Sequence, residues 1–380
     1  MLLAKLCLLL AVSLLCLGQT HGEKQLPMAL YTINLDLPPE QRWLPLLRDF
    51  KSSAPLVVKY FYQQAPKIVN DLLKVLMADL DGYFGELGQE MKAIADYWEV
   101  DLGIVVSLNL AYVLRRLGGG HPNTTGNVTN SQSYGAGFGE MACTSIVAQD
   151  ATGNIYHGRN LDWDIPDYLR NLTVQADFVK NGEPLFTADV TAGFVGILTG
   201  MSVHGFSISV NERDLGGNIV EDALEALLKH SSSPTHLTRQ VLTSATSYDE
   251  AVAMLGTKPV TAPVYYITAG SLPNQGAVLT RDRNALADVV TLNAPDLQQE
   301  PADTWYLLQT NYDRWKQPDA NDNRRVYGHL YMESVGQEAA AQFDGLLSVL
   351  STWPLTNSYT SYTAVMMPGE FDMESFDVYT

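Results

Sequence analysis

The chain divides by the spacing of its apolar residues. From Lys67 to Leu80, Ile68, Leu72, Leu76 and Leu80 recur every fourth residue, with Val69 and Leu73 beside them. That stripe predicts an amphipathic helix. Asp101 to Leu114 predicts a second helix, apolar all round and therefore buried. Pro55 to Tyr62 is denser still in apolar and aromatic residues, which fits either core or a surface that meets lipid or a partner. Beyond residue 140 the pattern changes to strands. Thr144–Ala148 and Ile155–His157 flank a turn at Asp150–Asn154. Leu172–Val190 holds two strand-like halves joined by Asn181-Gly182, a strong hairpin signal. Further strands are predicted at Phe206–Val210, Val264–Thr268, Ala277–Thr280, Tyr306–Gln309 and Tyr362–Met366. Helices are predicted at Ile219–His230 and Tyr248–Leu255, the latter opened by a Ser247/Glu250 capping box. Strands, helices and strands again, with no internal repeat, describe an α+β sandwich.

Between the two regimes lies a composition break. Gly118 to Met141 is rich in Gly, Asn, Ser and Thr and has no periodicity, so it reads as an exposed linker. It carries two Asn-x-Ser/Thr sequons, Asn123 and Asn127, and Asn171 makes a third. The sequons agree with the first 22 residues, where one lysine precedes the apolar run Leu6–Leu17 and small polar residues follow to Gly22. This is the layout of a secretory signal peptide, too short for the ~20 residues of a membrane span.

Composition narrows the partners. Of 380 residues 46% are apolar and 17% charged, the profile of a globular chain. Asp and Glu number 42 against 24 Lys and Arg, a formal charge of −18 that repels nucleic acid phosphates. Of the three cysteines, Cys7 and Cys16 would leave with the signal, so Cys143 has no internal disulfide partner. Such a thiol is reactive, paired between chains, or simply buried. There is no G-x-S-x-G, H-E-x-x-H or P-loop pattern and no metal-ligand spacing. His157, at a strand end, fits a structural role. The segment CTSIVAQDATGNIYHGRNLDWD, Cys143 to Asp164, places one thiol at a strand start, and a hairpin return would bring Arg159 and Asp162 back beside it.

That segment resembles the start of the catalytic subunit in the acid ceramidase family of N-terminal-nucleophile cysteine hydrolases, related to the choloylglycine hydrolases. RWLPLLRDF at Arg42–Phe50, SVNERD at Ser209–Asp214 and QTNYDRWKQPDANDNRR at Gln309–Arg325 extend the resemblance in the same order over most of the chain. Several blocks are closer to the branch that acts on N-acylethanolamines than to the ceramidases. The resemblance implies a four-layer αββα sandwich with a mainly helical N-terminal subunit and no cofactor or metal. It implies self-cleavage at Ala142-Cys143, giving an α subunit (23–142) and a catalytic β subunit (143–380) that stay together as a heterodimer. The freed α-amine of Cys143 then serves as base for its own thiol. Arg159 would favour the thiolate, and Asp162 would orient the amine and pair with that arginine. Asn311, with Asn211 as a second match, would face the oxyanion, and Arg324 would support the site. Glu212, Arg213 and Arg325 fit structural roles equally well. The implied substrate is a lipid amide: an N-acylethanolamine such as N-palmitoylethanolamine first, ceramide second, hydrolysed in a lysosome. A lipid substrate gives the N-terminal subunit, Pro55–Tyr62 above all, a peripheral membrane contact. The rival outside the enzyme class is an inactive secreted lipid-binding glycoprotein.

Overall fold

The computed structural model describes residues 28–64, 73, 74, 76–114, 141–213, 231–292, 305–317, 322–371 and 375–379. The predicted signal segment, the predicted linker up to residue 140, Asn123, Asn127, half of the helix predicted from Lys67 and the helix predicted at Ile219–His230 lie outside them.

Thirteen strands are described, in two sheets. The small sheet runs β11 (Tyr306–Gln309), β2 (Met141–Gln149), β3 (Ile155–Trp163), β12 (Thr360–Met366), β13 (Phe376–Tyr379). The large sheet runs β1 (Leu30–Asn34), β4 (Thr173–Lys180), β5 (Glu183–Thr191), β6 (Thr199–Ser202), β7 (Phe206–Glu212), β8 (Val264–Gly270), β9 (Gly276–Arg281), β10 (Leu286–Thr291). The sheets stack face to face. Helices α4 (Pro234–Ser244) and α5 (Tyr248–Thr257) cover the outer face of the large sheet; α6 (Arg324–Val335) and α7 (Phe343–Leu350) cover that of the small one. This is the four-layer αββα arrangement. The N-terminal region is mainly helical, with α1 (Ala54–Gln64), α2 (Glu86–Trp98) and α3 (Leu102–Asn109).

The predicted strands all form, most of them longer than the pattern showed. Asn181 and Gly182 take φ of 56° and 80°, the left-handed pair that a two-residue hairpin turn requires. At Asp150–Asn154 the Asp150 carboxylate accepts from the N–H groups of Thr152 and Asn154, closing the turn between β2 and β3. Asp101 to Leu114 is helical as predicted, with Gly103 to Tyr112 buried, but it breaks at Leu110 into α3 and a short Ala111–Leu114 turn. Ser247 caps α5 by accepting from Glu250 N–H, while the Glu250 side chain returns to Thr246, one residue short of a reciprocal box. Short β1, β6, β10 and β13 carried too little pattern to be predicted.

Both β2 and β3 lie between a helix layer and the other sheet, so their two faces are buried and polar–apolar alternation is lost. One end of the inter-sheet space is apolar, with Val147, Ile155, Tyr265, Ile267 and Val278. Burying each such side chain is worth roughly 1.5–3 kcal/mol. On the opposite face of β3, Gly158 lies so close under α7 that a Cβ would come 2.6 Å from Leu350 Cδ1 and 2.9 Å from Leu346.

The apolar segment at Pro55–Tyr62 falls in α1. Val57 and Tyr60 turn inward, 3% and 9% exposed, leaving Pro55, Leu56 and Lys59 outward. Tyr60 is therefore core, which corrects its reading as part of a lipid-facing surface: helical period sends it to the same face as Val57.

The N-terminal region is tied to the rest by polar groups. Glu90 on α2 has no exposed surface. It accepts from Arg42 Nη1 (2.9 Å), Trp43 Nε1 (2.7 Å), and Arg239 Nη1 (2.6 Å) and Nη2 (2.8 Å) of α4. Burial alone would raise its carboxyl; the charge and hydrogen bonds of Arg239, with those of Trp43 and Arg42, outweigh it and hold the group below the ordinary range. Asn109 Nδ2 donates to Gly193 O, and its Oδ1 accepts from Val195 N–H.

Candidate active site

At the polar end of the inter-sheet space, alternation along β2 and β3 decides what meets what. Cys143 and Ser145 on β2, and His157, Arg159 and Leu161 on β3, point between the sheets; Thr144, Asn160 and Asp162 point to the other face. The Arg159 guanidinium is fully buried. Its Nη2 donates to Cys143 Sγ at 3.1 Å and to Val210 O at 3.2 Å, and its Nη1 to Thr199 Oγ1 (2.8 Å) and Tyr362 OH (3.0 Å). A guanidinium this close to a sulfur favours its thiolate. Cys143 itself is buried in the continuous chain, with no disulfide.

The Cys143 main chain is held from the other side. Its N–H donates to Asn311 Oδ1 at 2.7 Å, and its carbonyl accepts from Arg324 Nη1 at 2.8 Å. Arg324 Nη2 also donates to Asn311 Oδ1 (3.0 Å) and to Asp322 Oδ2 (2.7 Å). Asn311 Nδ2 donates to Glu212 O at 3.0 Å. The network fixes the orientation of the Asn311 amide, since two donors converge on one end and a carbonyl meets the other.

This geometry changes three assignments. The resemblance gave Asn311 an oxyanion role, yet its oxygen, an acceptor, faces Cys143. Asn211 Oδ1 accepts from Ser145 Oγ (2.8 Å), and its Nδ2 donates to Gln309 O (2.9 Å), so its side chain ties β7 to β2 and β11 rather than offering a donor to the sulfur. Asp162 was expected to pair with Arg159. Three residues apart on one strand, the two point to opposite faces, and Asp162 instead meets Arg324 Nη1 (3.4 Å) and accepts from Thr360 Oγ1 (2.6 Å). Burial lifts its carboxyl above the ordinary range, against the pull of Arg324.

Other polar residues of the blocks are structural. Arg213 pairs with Asp313 at 2.7 Å and Asp282 at 2.6 Å; Arg325 lies 4.1 Å from the Tyr312 ring centroid and donates to Asp313 O. His157 lies between Ser207 Oγ and Ser209 Oγ, each 2.8 Å away. Ser209 gives its proton to Ser145, and Ser145 gives its own to Asn211, so His157 Nε2 must be the donor to Ser209. Burial, then Arg159, pushes its pKa down to about 3, and the ring is neutral. Its structural reading holds. Thr199 and Tyr362 were not singled out from the sequence, because nothing local marks the residues that cross from a partner strand. Asn171 is exposed at the end of a short helix, Asp167–Arg170. Among the described residues no cluster of metal-ligating side chains occurs, and no helix is long and apolar enough to cross a membrane.

Beside the site, Val57, Leu108, Trp163, Ile165, Leu169 and Leu172 line a narrow apolar cleft, about 10 Å³ in volume, between the N-terminal helices and the strands. Trp163 follows Asp162 directly and pairs with Met141 at the start of β2.

Comparison with known proteins points one way. Residues 143–341 match the family described as linear amide C–N hydrolases, choloylglycine hydrolase family. Residues 27–84 match the "beta subunit of N-acylethanolamine-hydrolyzing acid amidase", a lettering that runs opposite to the one used above. An N-acylethanolamine-hydrolyzing acid amidase of Rattus norvegicus is 35% identical over 348 residues, 90% of this chain and 86% of that protein. An acid ceramidase of Pan troglodytes is 35% identical over 370 residues, 91% and 85% of the two chains. The solved structure of a Caenorhabditis elegans N-acylethanolamine-hydrolyzing acid amidase ortholog aligns with a TM-score of 0.55 at 34% identity, covering 62% of this chain and 99% of that one.

Proposed function

The chain belongs to the choloylglycine hydrolase family of linear amide C–N hydrolases, and we propose that it is a lysosomal amidase that splits N-acylethanolamines into fatty acid and ethanolamine after cutting itself at Ala142-Cys143. The observation that carries this reading is the pairing of Cys143 Sγ with Arg159 Nη2 at 3.1 Å while Asn311 Oδ1 holds the Cys143 nitrogen at 2.7 Å.

In the precursor, the sulfur attacks the Ala142 carbonyl. The Ala142–Cys143 C–N bond breaks, the nitrogen leaves as an amine, and water hydrolyses the thioester. The new α-amine inherits the place of the old N–H, so Asn311 Oδ1 becomes its acceptor and aims the nitrogen lone pair along its own side chain. This amine takes the thiol proton and later passes it to the leaving ethanolamine. The acyl-enzyme thioester is then hydrolysed and fatty acid departs. Arg159 stabilises the thiolate whenever the sulfur is free, and no histidine is needed.

The apolar cleft supports a lipid substrate. Its lining suits part of an acyl chain, with the polar head near Cys143, but at about 10 Å³ it is far below the roughly 300–1,000 Å³ of ligand pockets, so it must open to admit one. Passage through the secretory pathway, glycosylation at Asn171 and lipid contact through the outward residues of α1 belong to the same reading. A second reading, ceramide hydrolysis, is favoured by the ceramidase relative, which is as similar as the amidase one.

The test offers an N-acylethanolamine and a ceramide together at about pH 4.5–5, with products read by mass spectrometry. Wild type should release fatty acid and ethanolamine in preference, and Cys143→Ala should release neither and remain one chain on a denaturing gel. Faster sphingoid-base release would transfer the function to the second reading. Products formed without Cys143 would sink both.

A further inference from the structure

Asp189 sits at the back of the site and has no part in the chemistry just described. It lies on β5, opposite Gln175 of β4 and Thr199 of β6. It is 4% exposed, and neither carboxyl oxygen has a hydrogen-bond partner. Facing it across the inter-sheet space is the Arg159 guanidinium, whose Nε is also buried without a partner. Thr199 joins the two, since its Oγ1 takes the Arg159 Nη1 hydrogen bond at 2.8 Å from the strand next to Asp189. An unpartnered carboxyl and an unpartnered N–H of opposite charge preference thus share one buried compartment.

Charge accounting gives the pair a meaning. A fully buried guanidinium cannot shed its proton and is costly without a counter-charge. The titratable groups that face Arg159 between the sheets are Cys143 of β2, His157 of its own strand, Tyr362 of β12 and Asp189 of β5. His157 is neutral, and burial raises the Tyr362 hydroxyl well above its ordinary value. Asp177, two residues along β4 from Gln175, accepts from Thr187 instead; Asp162 is on the other face of the small sheet. That leaves two acids, Cys143 and Asp189, to supply one negative charge.

We propose that Asp189 is a positioning residue that acts through Arg159 as the alternative counter-ion to the Cys143 thiolate, so that thiol with carboxylate and thiolate with carboxylic acid are two forms of the same site. The two forms hold the same number of protons, so the buried charge is balanced in either. Burial, opposed by Arg159, places the Asp189 carboxyl well above its usual range, which fits the form with the proton on Asp189 and the charge on sulfur. The α-amine draws the shared proton through the thiol form and passes it to the leaving ethanolamine, so while the sulfur is acylated and uncharged Asp189 is the carboxylate that keeps Arg159 compensated.

The proposal rests on Arg159 acting upon Cys143, as the proposed function requires, and its test does not use substrate turnover. Alkylation of the Cys143 peptide by iodoacetamide is followed against pH in the processed protein. Asp189→Asn leaves Cys143 as the remaining acid for Arg159, so its alkylation midpoint should move to lower pH and its rate near pH 5 should rise at least threefold. An unchanged profile, or a midpoint moved upward, overturns the proposal. A merely structural residue would slow or unfold the protein without an acid shift. If the asparagine variant fails to fold, wild type supplies the reading: difference infrared spectra at the alkylation midpoint should lose a protonated-carboxyl band when Cys143 is alkylated. No change in that region refutes the shared charge. Failure of Cys143→Ala to abolish amide hydrolysis would instead remove the proposed function and leave this charge pairing standing.

Discussion

Replacing Glu90 with Gln tests what holds the N-terminal region to the body. Glu90 takes four hydrogen bonds from Arg42, Trp43 and Arg239, all within 2.6–2.9 Å. Gln keeps the shape, but it offers one oxygen where two were engaged, aims an amide donor at a guanidinium, and leaves two arginines without their buried anion. Breaking a buried pair from one side costs about 3–5 kcal/mol. At roughly 2–4 °C per kcal/mol for a domain of about 150–250 residues, and less for a larger one, melting should fall by about 5–10 °C. Scanning calorimetry of wild type and Glu90→Gln reads this directly.

The pH dependence adds a sign. The folded Glu90 carboxyl lies below its ordinary value, and an unfolded glutamate has a pKa near ~4.3. Its contribution is therefore complete above about pH 4.3 and fades as pH falls through the folded value. The gap between the two proteins should stay constant from pH 7 to 5 and narrow only below about 4. A loss under ~1 kcal/mol, the worth of an exposed pair, would refute the argument, as would a gap that widens in acid.

Two further outcomes follow from the geometry. Arg159→Lys removes the fork that reaches Sγ, Val210 O, Thr199 and Tyr362 at once; a hydrogen bond to a charged group is worth about 1.5–3 kcal/mol, so kcat/KM should fall roughly 10- to 150-fold with the fold intact by circular dichroism. Leu56→Ser removes the outward apolar side chain of α1, 40% exposed, and should weaken cosedimentation with anionic vesicles while Tyr60→Phe leaves it unchanged; equal binding by all three proteins would end the lipid-contact reading.

Much of the fold was legible where local chemistry dictates backbone. Asn181-Gly182 could hardly have marked anything but a tight turn, and β2 and β3 flank a Gly- and Asx-rich corner that has few other uses. The thiol and Arg159 were legible because a hairpin return is fixed by residue count. What the same count also contains, and was not used, is parity: Arg159 and Asp162 are an odd number of residues apart, and a strand sends them to opposite faces. Partners contributed by distant strands were not legible. Thr199 lies in a four-residue strand too short to announce itself, and Asp189 sits between apolar Ala188 and Val190, where an acid reads as an exposed position. The block at Arg42–Phe50 was recognised by resemblance alone; its physical task, cradling Glu90, appears only when α2 and α4 are brought together.

β1 pairs in parallel with β4, Leu30 against Gln175 through Asn34 against Val179, so residues from the beginning of the chain complete a sheet built from its later part. A chain cut before Cys143 keeps that strand in place but loses the tether that delivered it. Folding of the intact chain is a first-order event, independent of dilution. Reassembly of the cut protein is a meeting of two molecules, whose rate falls with concentration. If the proposed cut occurs, it acts as a ratchet: the assembled pair persists through its slow rate of opening rather than its ability to form again, and a molecule that once comes apart in dilute solution is lost to function.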